Sequence, residues 1–425
     1  MSSTSPRRIA LISDHGDPAA KIGAEEAGGQ NVYVRQVGES LAKLGWQVDM
    51  FTRRVCPNDP VIVQHLPNCR TVRLSAGPAR FVPRDELLRY MPEFLTSFRE
   101  FQRQTGHRYP VVHTNYWLSA WVGLQLKKST DVQIVHTYHS LGAVKYLHTA
   151  PQPKIAEARL AVERQILEQA DCVVATSPQE RDHMRSLVSK KGHIEVIPCG
   201  FDHNRFYPRS KAEARHKVGI DPDRPVVLFV GRFDPRKGIE TLVRACAQLQ
   251  TDFQLIIVGG GGQADRRERE RIRLIVREVG LESRTLFVGP VGHDTLPLYC
   301  ASADVCVIPS HYEPFGLVSL EAMACGVPVI ASEVGGLQFT VVPEKTGLLV
   351  PHQDETSLAK AMARVLADAV WAQQLGQQGS IRVSKHFRWD QIAVQLSRLY
   401  AKLGSHKLSG TFSKFSSKAL ISTTQ

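Results

Sequence analysis

The chain has 425 residues, of which 43% are hydrophobic and 22% charged. This is ordinary globular usage, which excludes a disordered, collagen-like or coiled-coil protein and leaves room for about two or three domains. Fifty-three Lys and Arg against 41 Asp and Glu give a formal charge of +12, a field that favours anionic partners such as nucleic acid, acidic membranes or phosphorylated small molecules.

No apolar run approaches the ~18 residues of a membrane span, and Arg7-Arg8 is followed only by Ile9-Ala10-Leu11-Ile12 before Ser13 and Asp14. Neither a signal peptide nor a transmembrane segment is expected, and the reading is cytoplasmic with no membrane partner. Eight scattered cysteines form no C-x-x-C pair, the pattern of buried free thiols in a reducing compartment.

In chain order, short apolar runs at 8–13, 47–52, 111–114, 133–138, 172–176 and 194–197 predict buried strands, with amphipathic helices between them. The stretch 30–44 places Val34, Val37, Leu41 and Leu44 at helical spacing and stops at Gly45. A polar, proline-marked passage from Pro198 to Arg224 separates this series from a second one, with strands at 226–230, 253–258, 285–288, 305–309 and 329–331. Two or three helices between Asp354 and Leu403 close it. The pattern predicts an α/β protein of two doubly wound, Rossmann-like domains facing each other across a cleft, with right-handed crossovers. The expected division is 1–200, 201–403 with the last helix, Trp389 to Leu403, able to cross back, and a Ser/Thr-rich flexible tail over 404–425. The passage 198–224 is the expected hinge.

Four loops at strand ends carry candidate chemistry. Gly28-Gly29-Gln30-Asn31 opens a helix after the first strand, where paired glycines let backbone approach a ligand and unpaired N–H groups favour negative charge. Gly231-Arg232-Phe233-Asp234-Pro235-Arg236-Lys237-Gly238 ends the first strand of the second series, and Arg232 with Lys237 offers a planar fork and a point charge to a diphosphate. Glu313 sits in the turn shaped by Pro314 and Gly316, and Glu321 on the helix that follows, where a carboxylate can accept from a sugar diol. His139, Ser140 and Lys145 follow another strand and, with Arg84 and Arg159, compose a second anion pocket.

Three competing patterns weigh less. Gly259-Gly260-Gly261-Gly262-Gln263-Ala264 fits a loose dinucleotide fingerprint, but the next strand ends in Val288-Gly289-Pro290 without an acid for a ribose. The arginines between Asp265 and Glu278 alternate with Glu268, Glu270 and Glu278, a solvated face and not a nucleic-acid stripe. Asp221-Pro222-Asp223 precedes its strand, so no catalytic metal is expected from it.

With these residues the sequence resembles the retaining glycosyltransferases of family 4, which have the GT-B fold. Through Gly28-Gly29-Gln30, 81–87 and His139-Ser140-Leu141-Gly142-Ala143-x-Lys145 it is most similar to their bacterial sucrose-phosphate synthase branch. The resemblance implies a nucleotide-sugar donor, UDP-glucose or possibly ADP-glucose, on the second domain. Arg232 and Lys237 would hold its diphosphate, Glu321 its ribose, Glu313, Phe315, Gly316 and Leu317 its glucose hydroxyls, and the Val291 backbone its base, with Gly29 nearby. It implies fructose 6-phosphate on the first domain, against Gly28, Gln30 and Tyr116, its phosphate held by Arg84, Ser140, Lys145 and Arg159, and His139 touching the donor sugar. The nucleotide-sugar is a substrate; no cofactor and no catalytic metal are implied, and a separate phosphatase would release sucrose. Residues 26–34 also resemble inositol-phosphate glucosaminyl transferases, and a sucrose-synthase-like transfer stays open. A basic nucleic-acid-binding protein is the remote alternative.

Overall fold

The computed structural model describes residues 7–20, 28–148, 151–292 and 294–416. Residues 26–27 of the glycine loop and 417–425 of the expected tail lie outside them. The first domain runs β1 (Arg8–Ile12), α1 (Gly29–Lys43), β2 (Gln47–Arg53), β3 (Ile62–Leu66), β4 (Cys69–Leu74), α2 (Met91–Thr105), β5 (Val111–Asn115), α3 (Trp117–Ser129), β6 (Gln133–Thr137), α4 (Gly142–Lys145), α5 (Ala156–Gln169), β7 (Cys172–Ala175), α6 (Pro178–His183) and β8 (Ile194–Val196). The second runs α7 (Lys211–Val218), β9 (Val226–Val230), α8 (Ile239–Cys246), β10 (Gln254–Val258), α9 (Gln263–Glu278), β11 (Thr285–Gly289), α10 (Leu296–Ser302), β12 (Val305–Ile308), α11 (Leu317–Ala324), β13 (Val329–Ser332), α12 (Leu337–Thr340), β14 (Gly347–Val350), α13 (Glu355–Ala367), α14 (Ala369–His386) and α15 (Trp389–Ser416).

The sheets have strand orders β3-β4-β2-β1-β5-β6-β7-β8 and β11-β10-β9-β12-β13-β14, parallel throughout except for β3 against β4. The second is the 3-2-1-4-5-6 order of a dinucleotide fold, and each sheet reverses direction between its first strand and a later one, β1/β5 and β9/β12. Such reversals leave a crevice at the carboxyl ends of the strands. Strands buried on both faces explain the continuous apolar runs: Ile9 to Ile12 and Val226 to Phe229 are at most 1% exposed. The sequence reading lacks β3, β4 and β14. Ile62 is exposed on the edge strand β3, and Arg70 and Arg73 interrupt β4, so the apolar signal is broken there.

α1 begins one residue before the expected Gln30, where the Gly28 N–H donates to Asn31 Oδ1 at 3.1 Å and the Asn31 amide donates to Asp17 O at 3.0 Å. α15 packs on β5 and on the residue after α1's C-terminal turn in the first sheet's layer. Its Tyr400 hydroxyl meets His113 Nδ1 of β5 at 2.6 Å, and Trp46 Nε1 donates to Ser397 Oγ at 2.9 Å. The helix also continues through Ser416, past Gly404 where the tail was expected to begin and past Gly410, each helical glycine costing only about 1 kcal/mol. The chain therefore passes between domains twice. The two passes lie side by side, with Phe201 N–H donating to Phe387 O at 2.8 Å. One apolar cluster runs from α1 through Phe201, Trp389 and Tyr400 into Phe315 and Leu320, joining one face of each sheet. The eight cysteines are free, and all but Cys56 are buried. No helix among the described residues is long and apolar enough to cross a membrane.

Candidate active site

On the second domain, the loop after β9 is shaped by two constraints. The Asp234 carboxylate accepts from Arg236 N at 3.0 Å and Arg236 Nε at 2.9 Å, closing a tight turn; despite its burial, these bonds hold the Asp234 carboxyl at about 2. Gly238 then has φ 67°, and a Cβ there would lie 2.0 Å from Pro309 O. Only glycine fits, and it brings this loop against the one after β12. Lys237 Nζ consequently reaches Glu313 Oε2 at 2.5 Å, and Ser310 Oγ donates to the same oxygen at 3.4 Å. Arg232 is half exposed and 3.9 Å from Asp234.

Gly316, at φ 91°, turns the chain into α11, and a Cβ there would meet Leu337 Cδ2 at 2.6 Å. Phe315 is buried, while Leu317 reaches the other domain: a Cβ at Gly29 would touch Leu317 Cδ1 at 3.4 Å. Glu321 is buried on α11, and among the described residues no hydrogen bond reaches its carboxylate. Burial alone raises it from 4.5 to about 7. Val291 lies partly buried beyond the end of β11.

On the first domain, Tyr116 and His139 follow β5 and β6 with φ of 76° and 58°. Positive φ in a bulky residue is sterically costly, and such strain is concentrated at ligand-facing positions. His139 Nε2 lies 2.9 Å from Asn115 Oδ1. The Asn115 amide nitrogen is committed to Ile12 O and His113 O, so Oδ1 is the acceptor and His139 carries its proton on Nε2. Burial and neighbouring His113 and His15 hold His139 near 3, hence neutral at physiological pH.

Around Tyr116 the cations gather. Arg84 and Arg159 stand 5.6 and 5.1 Å from its ring centroid, and Arg159 Nη1 donates to its hydroxyl at 3.2 Å. Arg84 Nε has no hydrogen-bond partner among the described residues. Lys145 ends the short helix α4; burial, then the charges of Arg159, Arg236 and Arg84, lowers its ammonium from 10.5 to about 8. Arg159 is one of the residues expected on the acceptor phosphate. It is 1% exposed, donates to Glu163 at 2.7 Å and to Ser140 O at 2.5 Å, and so braces the wall of the pocket. Glu163 in turn accepts from Gly142 N at 2.9 Å, fixing the start of α4. Gln30 donates to Ser13 Oγ at 3.0 Å, tying the glycine loop to the end of β1.

Sequence reasoning missed Glu163, Asn115, Arg236 and Tyr312. The Arg159/Glu163 spacing of four on one helix was a legible ion-pair signal. The others acquire a role only where loops meet, as when the Leu141 N–H donates to the Tyr312 hydroxyl at 3.3 Å across the two domains. Among the described residues, Cys172, His193 and Glu195 bring three potential metal-ligand atoms within 4.8 Å. They lie by the amino ends of β7 and β8, the opposite edge of the sheet from the cleft.

Two facing parallel-sheet domains, with basic loops and a buried carboxylate at their switch points, define a GT-B glycosyltransferase. Family profiles agree in order and extent: "Glycosyl transferase 4-like domain" matches residues 28–200 and "Glycosyl transferases group 1" residues 210–382. A D-inositol 3-phosphate glycosyltransferase of Corynebacterium jeikeium is 35% identical over 406 residues, covering 93% of this chain and 97% of that protein. A solved sucrose-phosphate synthase of Thermosynechococcus elongatus is 54% identical, with a TM-score of 0.90 over 94% of this chain and 100% of that one. HepE of Anabaena, solved with UDP and glucose, shares the fold at 20% identity and a TM-score of 0.74, covering 93% and 100%. The chain belongs to the group 1 glycosyltransferases of the GT-B fold.

Proposed function

We propose that the protein transfers glucose, with retention of configuration, from UDP-glucose to fructose 6-phosphate, giving sucrose 6-phosphate. The carrying observation is the cationic group on the domain opposite the diphosphate loop, with Arg84 and Arg159 against the Tyr116 ring and Lys145 and Arg159 against the Tyr146 ring, where burial and then the neighbouring charges lower the Lys145 ammonium. A phosphorylated acceptor neutralises it. The 54% identity to the T. elongatus synthase supports fructose 6-phosphate, and the UDP and glucose held by HepE support the donor.

Departure of UDP builds charge on the β-phosphate, where Arg232 and Lys237 stabilise it more in the transition state than in the ground state. Lys237 must then exchange Glu313 for phosphate, which frees Glu313 for the sugar hydroxyls. Glu321 holds the ribose and the Val291 backbone the base. The acceptor hydroxyl attacks from the leaving-group face, the β-phosphate oxygen taking its proton, so no side-chain nucleophile and no metal are required. Neutral His139 adds no competing cation beside the donor sugar. Domain closure about residues 198–224 excludes water, and a separate phosphatase acts on the product.

Curated relatives at 33–35% identity are named D-inositol 3-phosphate glycosyltransferases, which favours inositol phosphate as the second reading. An acceptor panel of fructose 6-phosphate, fructose and inositol 3-phosphate, run with UDP-glucose, ADP-glucose and UDP-N-acetylglucosamine, tests both. Nucleotide release that requires fructose 6-phosphate is expected. Release only with inositol phosphate overturns the first reading.

A further inference from the structure

At the sheet edge away from the cleft, the starts of β7 and β8 hold three side chains that glycosyl transfer leaves unused. The two strands pair in parallel with Val173 opposite Ile194, so Cys172 and His193 stand opposite each other just before them. The approach to β8 is tightly held. Gly192 has φ 87°, a Cβ there would overlap Leu167 O, and Arg185 Nη2 donates to Gly192 O at 2.7 Å. The His193 carbonyl then accepts from Val173 N at 2.8 Å. Cys172, His193 and Glu195 each bring one donor atom, a sulfur, a ring nitrogen and a carboxylate oxygen, all within 4.8 Å of one another. His193 Nε2 is 3.2 Å from Glu195 Oε1. Zinc bonds of ~2.0 Å to nitrogen and oxygen and ~2.3 Å to sulfur, at the tetrahedral angle, put nitrogen and oxygen about 3.3 Å apart and sulfur about 3.6 Å from each. Nitrogen and oxygen already stand at that spacing, and a shift on the order of 1 Å brings the sulfur to the third corner.

We propose that Cys172, His193 and Glu195 bind Zn²⁺ or a similarly soft divalent cation, with water or a small anion as fourth ligand, and that the ion fastens the start of β7 to β8 just ahead of the passage into the second domain. The donor set carries the choice of metal: a thiolate and an imidazole suit zinc and exclude the oxygen-seeking Mg²⁺ and Ca²⁺. Thiolate and carboxylate together neutralise a dication, which offsets the cost of placing it against an apolar cluster. Cys172 is buried and His193 exposed, so the ion enters past the imidazole and settles on the sulfur. Glu195 also borders a cleft of about 330 Å³ between β8 and α15, lined further by Arg398 and Lys402, which gives room to the fourth ligand. Lys402 Nζ stands 4.0 Å from Glu195 Oε1 and is 63% exposed, free of steric barriers to turning outward when the ion takes that oxygen. Burial, then the Glu195 charge, pushes the Cys172 thiol up to about 12, with Asp171 adding to the shift and Lys402 and the Glu195 backbone N–H opposing it. The ion therefore displaces the thiol proton into solvent, and its binding tightens as pH rises.

The site is independent of the substrates proposed above, and its test needs no turnover. The full chain, stripped with a chelator, is titrated with Zn²⁺ by calorimetry alongside Cys172→Ala, His193→Ala and, as a control thiol, Cys56→Ala. Removing a group that merely orients a metal ligand costs about 10- to 100-fold in affinity, so loss of a ligand itself weakens binding more than about 10-fold. That loss is expected in Cys172→Ala and His193→Ala and not in Cys56→Ala. Co²⁺ in the wild type gives the visible bands of a tetrahedral ion and a near-ultraviolet thiolate band that Cys172→Ala lacks. Zn²⁺ raises the melting temperature of the wild type and not of His193→Ala, as mass action requires of an ion bound only by the folded chain. His193 is exposed, so His193→Ala keeps the fold and the test stands even where Cys172→Ala fails to fold. Absence of Zn²⁺ binding by the wild type, undiminished affinity in His193→Ala, or bound Co²⁺ without the thiolate band overturns the proposal.

Discussion

Replacing Glu321 with Gln is expected to make the protein more resistant to unfolding at alkaline pH while it weakens nucleotide binding. The carboxyl is buried on α11, and burial alone raises it from 4.5 to about 7. A carboxyl raised on folding binds its proton more tightly in the folded chain, so its stability contribution is full below 4.5 and is lost as pH climbs through 7. At about 1.4 kcal/mol per decade the penalty is about 3 kcal/mol at pH 8 and about 1 kcal/mol at pH 5.5. A neutral amide carries its own burial cost at every pH. The prediction therefore concerns the slope: between pH 5.5 and 8 the wild type loses about 2 kcal/mol relative to Glu321→Gln. Urea midpoints at a series of pH values measure this directly. The same carboxylate, given ribose hydroxyls as donors, is stabilised in its charged form, so UDP binding at pH 6.5 releases part of a proton. Calorimetry in buffers of different ionisation enthalpy reads that release. Parallel stability–pH curves for wild type and variant would refute the reasoning.

Arg159→Ala and Lys145→Ala separate bracing from binding. The first leaves Glu163 buried without its partner and costs about 3–5 kcal/mol in unfolding free energy, whereas the second removes a half-buried ammonium and costs less than about 1 kcal/mol, though both raise acceptor KM. Lys145 is held near 8, so its charge is present below that pH and lost above it, and acceptor KM rises from pH 7.5 to 9 in the wild type but not in Lys145→Ala; a pH series of initial rates checks this. Arg232→Ala and Lys237→Ala each lower turnover by about 2–4 kcal/mol in barrier height, and single-turnover rates at saturating substrates measure the loss. Full turnover with both removed would overturn the electrostatic mechanism.

Local pattern was enough to recover the double α/β series and the strand ends, because parallel strands buried on both faces must be apolar throughout, and to pick the loops at their carboxyl ends as candidates for ligand binding. It was also enough to mark Gly28-Gly29, Arg232, Lys237, Glu313 and Glu321, whose residue types announce phosphate and hydroxyl chemistry wherever they sit at such ends. Tertiary structure alone decided which charges are spent and which remain available. Lys237 is paired with Glu313, from a loop more than seventy residues away, Arg236 is held by Asp234, and Arg159 is bonded to Glu163, Tyr116 and Ser140. Strain at Tyr116 and His139, the neutral state of His139 and the raised carboxyl of Glu321 likewise arise from packing against distant chain segments, and burial is a property of the assembled core that no short window of sequence contains.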